Sequence, residues 1–278
     1  MRVYMVDRNI VSKISSNFKN CSIEDKNFIK SLDKKGSAIS LLLSNMEGRL
    51  GIPQDMNHAS SGMFAEGDIV KGFFKKAHVD SSFFEVFNNL ASWGITTHQR
   101  DSFLRNSEIV AYLQDTLHQP RSPAQAKEVR EDILNFASKR DMEIGHPIML
   151  CGLSTLYGNK NAHGVLKPKE PKDNDPKRNA RIYNALADLM VIVNLSELAG
   201  MSRGIKMQIH FATIDKPLRG FVREFGLLGV AKSRLALVND STITLGFNMS
   251  LFPRLTGNEA EEFKEWFNTK KQKHERKV

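Results

Sequence analysis

Four acids in this chain stand where a carboxylate is expensive to keep. Asp7 ends the apolar run Val3-Tyr-Met-Val6, and Glu47 closes a stretch holding Ile39, Leu41, Leu42, Leu43 and Met46. Asp188 sits among Leu186, Leu189, Met190 and Val193, and Asp215 follows the run from Ile205 to Ala212. An ionised carboxylate in apolar surroundings needs a cation, a hydrogen-bond donor or a path to water. Each acid also has an ordinary reading. Asp7 suits the N-cap of a helix carrying Ile10, Val11 and Ile14, and Glu47 could lie on a wet face beside Arg49. Taken together, four carboxylates meeting at one place would repel one another unless a divalent ion neutralised them. Oxygen-only ligands suit Mg²⁺ or Mn²⁺. Such ions activate water and stabilise charge on a phosphodiester undergoing in-line attack.

The elements that must position these acids follow from the pattern of the chain. A short apolar run without alternation, as at Val3–Val6, suits a strand buried on both faces of a parallel sheet. Residues 205–212, with Met207, Ile209 and Phe211, read as another strand and lead into Thr213-Ile-Asp215, so two strands each deliver an aspartate just before a helix. In open α/β sheets that is where ligands sit. Between Arg178 and Ala199, Ile182, Leu186, Leu189, Met190 and Val193 recur at helical spacing. Asn184 and Asp188 share one face of that helix, with Arg181 one turn earlier. The stretch from Ile39 begins as a strand or a buried helix. Residues 235–238 and 242–247 read as further strands, and a last helix from Asn258 runs into a basic tail.

The middle of the chain differs in character. Phe73, Phe74, Phe83, Phe84, Phe87 and Trp93 crowd one part of it, read here as packing rather than base stacking. Ser122-Pro-Ala-Gln125 has the composition of a capping box. The expected architecture is therefore α/β: a Rossmann-like parallel sheet flanked by helices, formed by 1–51 and 147–252. A large, mostly helical insertion spans 52–146, and 253–278 form a C-terminal helix and tail. From Gly158 to Arg181 the chain is basic and holds three prolines. This reads either as a solvated linker or as a loop that contacts phosphates.

Composition narrows the classes of function. The 278 residues are 41% hydrophobic and 26% charged, with net charge +9 and a pI near 9.5. That balance fits a polyanionic partner such as nucleic acid. No run has the roughly 18–20 apolar residues of a membrane span, and the charged N-terminus lacks a signal-peptide core. Cys21 and Cys151, the only cysteines, read as reduced thiols in a cytoplasmic protein. The histidines are scattered without ligand spacing. Neither GxxxxGK[ST] nor GxGxxG occurs, which disfavours a nucleotide-binding enzyme, and the absence of GxSxG disfavours a serine hydrolase.

The acids and their contexts resemble the PIN-domain ribonucleases. Val3-Tyr-Met-Val-Asp-Arg-Asn9 resembles their opening strand, where an apolar run ends in Asp-x-Asn. Ile39 to Gly48 resembles their apolar segment ending in Glu. Ala187-Asp188 and Phe211-Ala-Thr-Ile-Asp215 resemble the closing pair, with Thr-x-Asp ending a strand. The resemblance covers about residues 1–51 and 147–230. It implies a PIN-like fold and metal-dependent endoribonuclease activity, with Asp7, Glu47, Asp188 and Asp215 holding Mg²⁺ or Mn²⁺. Asn9, Asn184 and Thr213 would then orient the carboxylates or the water, while Lys160, Lys167, Arg181 and Lys216 steer the RNA backbone. Toxin, phage-defence effector and processing enzyme stay open, as do a protein partner and a homo-oligomer. The alternatives are a non-catalytic nucleic-acid-binding or protein-interaction module on the same fold, and a structure-specific DNA nuclease.

Overall fold

The computed structural model describes residues 1–47, 66–79, 97–172, 174–201, 208–224 and 248–275, with the side chains of all of these but 45–47, 97–102, 196–201 and 270–275. Its centre is a four-stranded, wholly parallel sheet in the order β3-β2-β1-β4. The strands are β1 (Arg2–Val6), β2 (Ser37–Ser40), β3 (His78–Val79) and β4 (Gln208–Ala212). Tyr4 pairs with Ile39 on one side of β1, and Met5 with Phe211 on the other.

Alternation along the central strand creates two cores, because successive side chains leave a strand on opposite faces. Val3 and Met5 of β1 join Ile209 and Phe211 of β4 in the larger core. Tyr4 and Val6 join Ile39 and Ala212 in the smaller one. The smaller core is closed by α1 (Arg8–Ser15) and α2 (Ile23–Ser31), through Ile10, Val11, Ile14 and Ile29. Val70 and Phe74, in and just after a helix over 66–73, join that core too. The sheet is thus covered on both faces, as a parallel sheet requires.

The larger core is helical. After β2, the segment beginning at Ile39 divides into the strand end and α3 (Leu42–Glu47). There follow α4 (Thr97–Thr116), α5 (Pro123–Ser138), α6 (Pro147–Leu156), α7 (Lys160–Leu166) and α8 (Arg178–Met201). After β4 come α9 (Lys216–Glu224), a 3-10 turn at Met249–Leu251 and α10 (Gly257–Glu275). Every residue of α6 is buried, so this helix is the axle of the layer. None of the described helices is long and apolar enough to cross a membrane.

Two expectations change in detail. The stretch 52–146 is not a separate helical body. His78–Val79 extends the sheet beside β2, and Ile109, Leu113 and Ile133 of α4 and α5 share a core with Leu150, Leu186 and Phe263. The proline-bearing loop also contains α7, which the breakers around it conceal. Asn159 starts this helix, its Oδ1 accepting the backbone N–H groups of Asn161 and Ala162. The capping box at Ser122 forms, with reciprocal bonds to Gln125. The expected strands at 235–238 and 242–247, and Phe83, Phe84, Phe87 and Trp93, lie outside the described residues.

Helices α7 and α9 meet through two glycines. A Cβ on Gly164 would stand 2.7 Å from Pro217 Cβ, and one on Gly220 would stand 2.5 Å from Asn161. This close approach matters because α7 ends at Lys167 and α9 begins after Asp215.

Candidate functional site

The strand order reverses direction at β1: β2 and β3 lie to one side and β4 to the other. The carboxyl ends of β1 and β4 therefore flank the switch point at which open α/β sheets form a crevice. Asp7 follows β1 there, and Thr213 and Asp215 follow β4. The backbone joins the two ends, Asp7 N–H donating to the Ala212 carbonyl at 3.2 Å.

Asp7 is both a cap and a site residue. Its Oδ1 accepts the Ile10 N–H at 2.9 Å, starting α1. Its Oδ2 accepts the Thr213 hydroxyl at 2.5 Å and Asn9 Nδ2 at 3.3 Å. The side chain is wholly buried. Desolvation pushes its pKa up to about 6, against the lowering effect of those donors, and the charge of Asp188 adds to the rise.

Thr213, also fully buried, links two acids. Its Oγ1 donates to Asp7 and accepts the Asp215 N–H at 2.9 Å. Asp215 in turn caps α9, with Oδ1 taking the Leu218 N–H at 2.8 Å. The third acid comes from α8. Asp188 is 5% exposed, and its pKa is raised to about 6, chiefly by burial, with a further push from Asp215 and opposition from Lys167. Asp7 thus feels Asp188, and Asp188 feels Asp215. Three of the four expected acids lie within electrostatic reach of one another at the carboxyl edge.

Lys167 supplies the cation. It stops α7 in the left-handed region, φ 55°, a conformation costing a non-glycine residue about 1–2 kcal/mol. From there its Nζ reaches Asp188 Oδ2 at 2.8 Å. Glu47 ends α3, a helix packed against β1, α1 and α8; its side chain lies outside the described residues. Among the described residues, no three His, Cys, Asp or Glu side chains stand in metal-holding geometry.

The remaining expected residues divide. Asn9 and Thr213 touch Asp7. Asn184 is exposed on α8, one turn before Asp188. Arg181 contacts Asp175 at 2.7 Å. That contact holds the Asp175 carboxyl down at about 2, and the Arg181 side chain is only 12% exposed. Lys216 is exposed and pairs with Glu24 at 3.2 Å, and Lys160 is exposed at the start of α7. Sequence reasoning missed the pairing of Lys167 with Asp188, which depends on a left-handed turn that no motif announces.

Comparison of the chain with family models, with curated proteins and with solved structures returns no match.

Proposed function

We propose that the chain is a metal-dependent endoribonuclease whose acid edge hydrolyses RNA phosphodiester bonds. The observation supporting this reading is that Asp7 and Asp188, both buried, and Asp215 lie within electrostatic reach of one another beside the switch point. Two of these carboxyls are buried with raised pKa values, and each is pushed by a neighbouring acid. A divalent ion is the group that would make such a cluster stable in its ionised form. The donor chemistry, all carboxylate oxygen, fits Mg²⁺ or Mn²⁺. Since no three described side chains stand in metal-holding geometry, Asp7, Asp188 and Asp215 would have to draw together around the ion, with Glu47 as the fourth ligand. When bound, the ion supplies a Lewis acid for the phosphoryl oxygen and lowers the pKa of water.

The chain's own residues do the rest. Thr213 and Asn9 fix the orientation of the Asp7 carboxylate. Lys167 neutralises Asp188, and with Lys160 and Lys216 it presents positive charge to a phosphate backbone. Because Lys167 already balances Asp188, a second reading has support: a module on the same sheet that binds nucleic acid without cutting it.

The test is incubation of labelled single-stranded RNA with the protein and Mn²⁺, with EDTA, and with Asp7→Asn, alongside DNA flaps and junctions. Cleavage lost in both controls supports the nuclease. Retention of RNA without cleavage under any metal supports the module instead, and preferential cutting of DNA changes the substrate class.

A further inference from the structure

A pocket of about 380 Å³ opens on the helical layer. The start of α5, the end of α6, the segment before α10 and the first turns of α10 enclose it. It shares no residue with the acid edge. Four cations line it, Arg121, Lys127, Arg130 and Arg254, against two acids, Glu259 and Glu262.

The partners of those cations leave charge unspent. Lys127 meets Glu262 only at 3.4 Å, with both side chains more than half exposed. Arg121 donates Nη2 to the Thr116 carbonyl at 3.0 Å, while its Nε is buried with no hydrogen-bond partner among the described residues. Arg130 lies over the Trp266 ring at 3.9 Å and contacts Glu131 at 3.2 Å, and its Nε too is buried without a partner. Among the described residues Arg254 has no carboxylate partner. Its backbone N–H donates to the Tyr157 carbonyl at 3.1 Å, and its side chain lies across Gly158, which has φ +86°. Any Cβ at Gly158 would stand 2.5–2.7 Å from the Arg254 side chain, so that glycine is what lets the arginine lie there.

The Arg254 guanidinium, exposed and without a carboxylate partner among the described residues, and the Arg121 guanidinium beside it in the lining suit a phosphate, which such groups can grip bidentately. Tyr157 and Phe263 line the same pocket and meet edge to face at 5.0 Å, and a planar ring can pack on such a surface. The size falls at the small end of ligand pockets, and the net positive charge of two matches one phosphomonoester dianion. We propose that this pocket binds a nucleoside monophosphate, with the phosphate on Arg121 and Arg254 and the base against Tyr157 and Phe263.

The test is calorimetric titration of the full-length chain with 5′-AMP, adenosine and inorganic phosphate. It is repeated on Arg121→Gln, Arg254→Gln and, as a control away from the pocket, Asp7→Asn. Thermal melts verify that each variant folds. The proposal expects submillimolar binding of 5′-AMP, weaker binding of phosphate and adenosine alone, a loss of tenfold or more in each arginine variant, and no change in Asp7→Asn. If either arginine variant fails to fold, the other and the exposed Lys127→Gln carry the comparison. No binding at millimolar 5′-AMP overturns the proposal. So does 5′-AMP affinity that the pocket variants leave intact, or phosphate binding as tightly as 5′-AMP.

Discussion

The carboxyl edge of the sheet and the pocket between α5 and α10 handle charge in opposite ways. At the edge, Asp7, Asp188 and Asp215 have one described lysine among them, and their oxygens are satisfied largely by backbone N–H groups and Thr213. In the pocket, arginines outnumber carboxylates and lean on rings, with Arg130 over Trp266 and Phe263. Asp7 and Asp188 are raised by burial to about 6, whereas guanidinium groups keep their charge. The edge is therefore the part of the molecule whose charge can be changed by pH or by a cation. The pocket is a fixed positive site.

The largest expected effect breaks the edge. Asp7→Asn should lower RNA cleavage about 10²–10³-fold, the scale of removing a group that stabilises charge at the reacting atoms. It should at the same time raise the thermal midpoint at pH 7, because a desolvated carboxylate is replaced by a neutral amide. A variant that loses activity and also stability would count against the edge as a site of stored electrostatic strain.

Next comes pH, measured by thermal or urea denaturation in the presence of a chelator. Both Asp7 and Asp188 rise from 3.8 to about 6 on folding, so between these values the folded state binds more protons than the unfolded one. The contribution of these two acids to stability should be complete below about pH 4, fall as pH rises toward 6 and level off above it, while His146, lowered by burial from 6.5 to about 4, acts with the opposite sign in the same window. The change is on the order of 3 kcal/mol per carboxyl at most. Mn²⁺ should reverse the loss above pH 6 and do little at pH 4. The test is the difference between the unaltered protein and Asp7→Asn, from which the opposing His146 contribution cancels; a difference that does not change between pH 4 and 6 would refute the burial of Asp7.

Gly164→Ala tests what holds Lys167 near Asp188. Its Cβ would press on the rigid ring of Pro217, and overpacking of this kind costs about 1–3 kcal/mol. Denaturant titration should show that loss, with RNA cleavage reduced more than folding alone explains. The smallest effect belongs to the pocket side. Ser122→Ala removes the cap of α5 and should cost about 1 kcal/mol, leaving the pH profile unchanged because no edge residue is involved.

Some of this was legible in the chain. The apolar runs before Asp7 and Asp215 became neighbouring parallel strands, and the Arg178–Ala199 periodicity became α8 with Asp188 inside it. Asp7, which reads in the sequence as a cap, does start α1, and Asp215, which does not read as one, starts α9. Arg181 reads from sequence as a cation facing substrate, yet the folded loop brings Asp175 against it. The two-residue strand β3 is too short for any periodicity to announce.

Local chemistry alone determined where strands stop, where helices start and which acids follow apolar runs, because caps and alternation act within a few residues. Which acids meet, and which cation answers them, was decided by the tertiary structure. Asp7 and Thr213 lie 206 positions apart and touch only because β1 and β4 pair. Lys167 reaches Asp188 only because a left-handed turn ends α7 beside α8. Such contacts depend on register and packing, which are properties of the assembled sheet and helices and of no single stretch of chain.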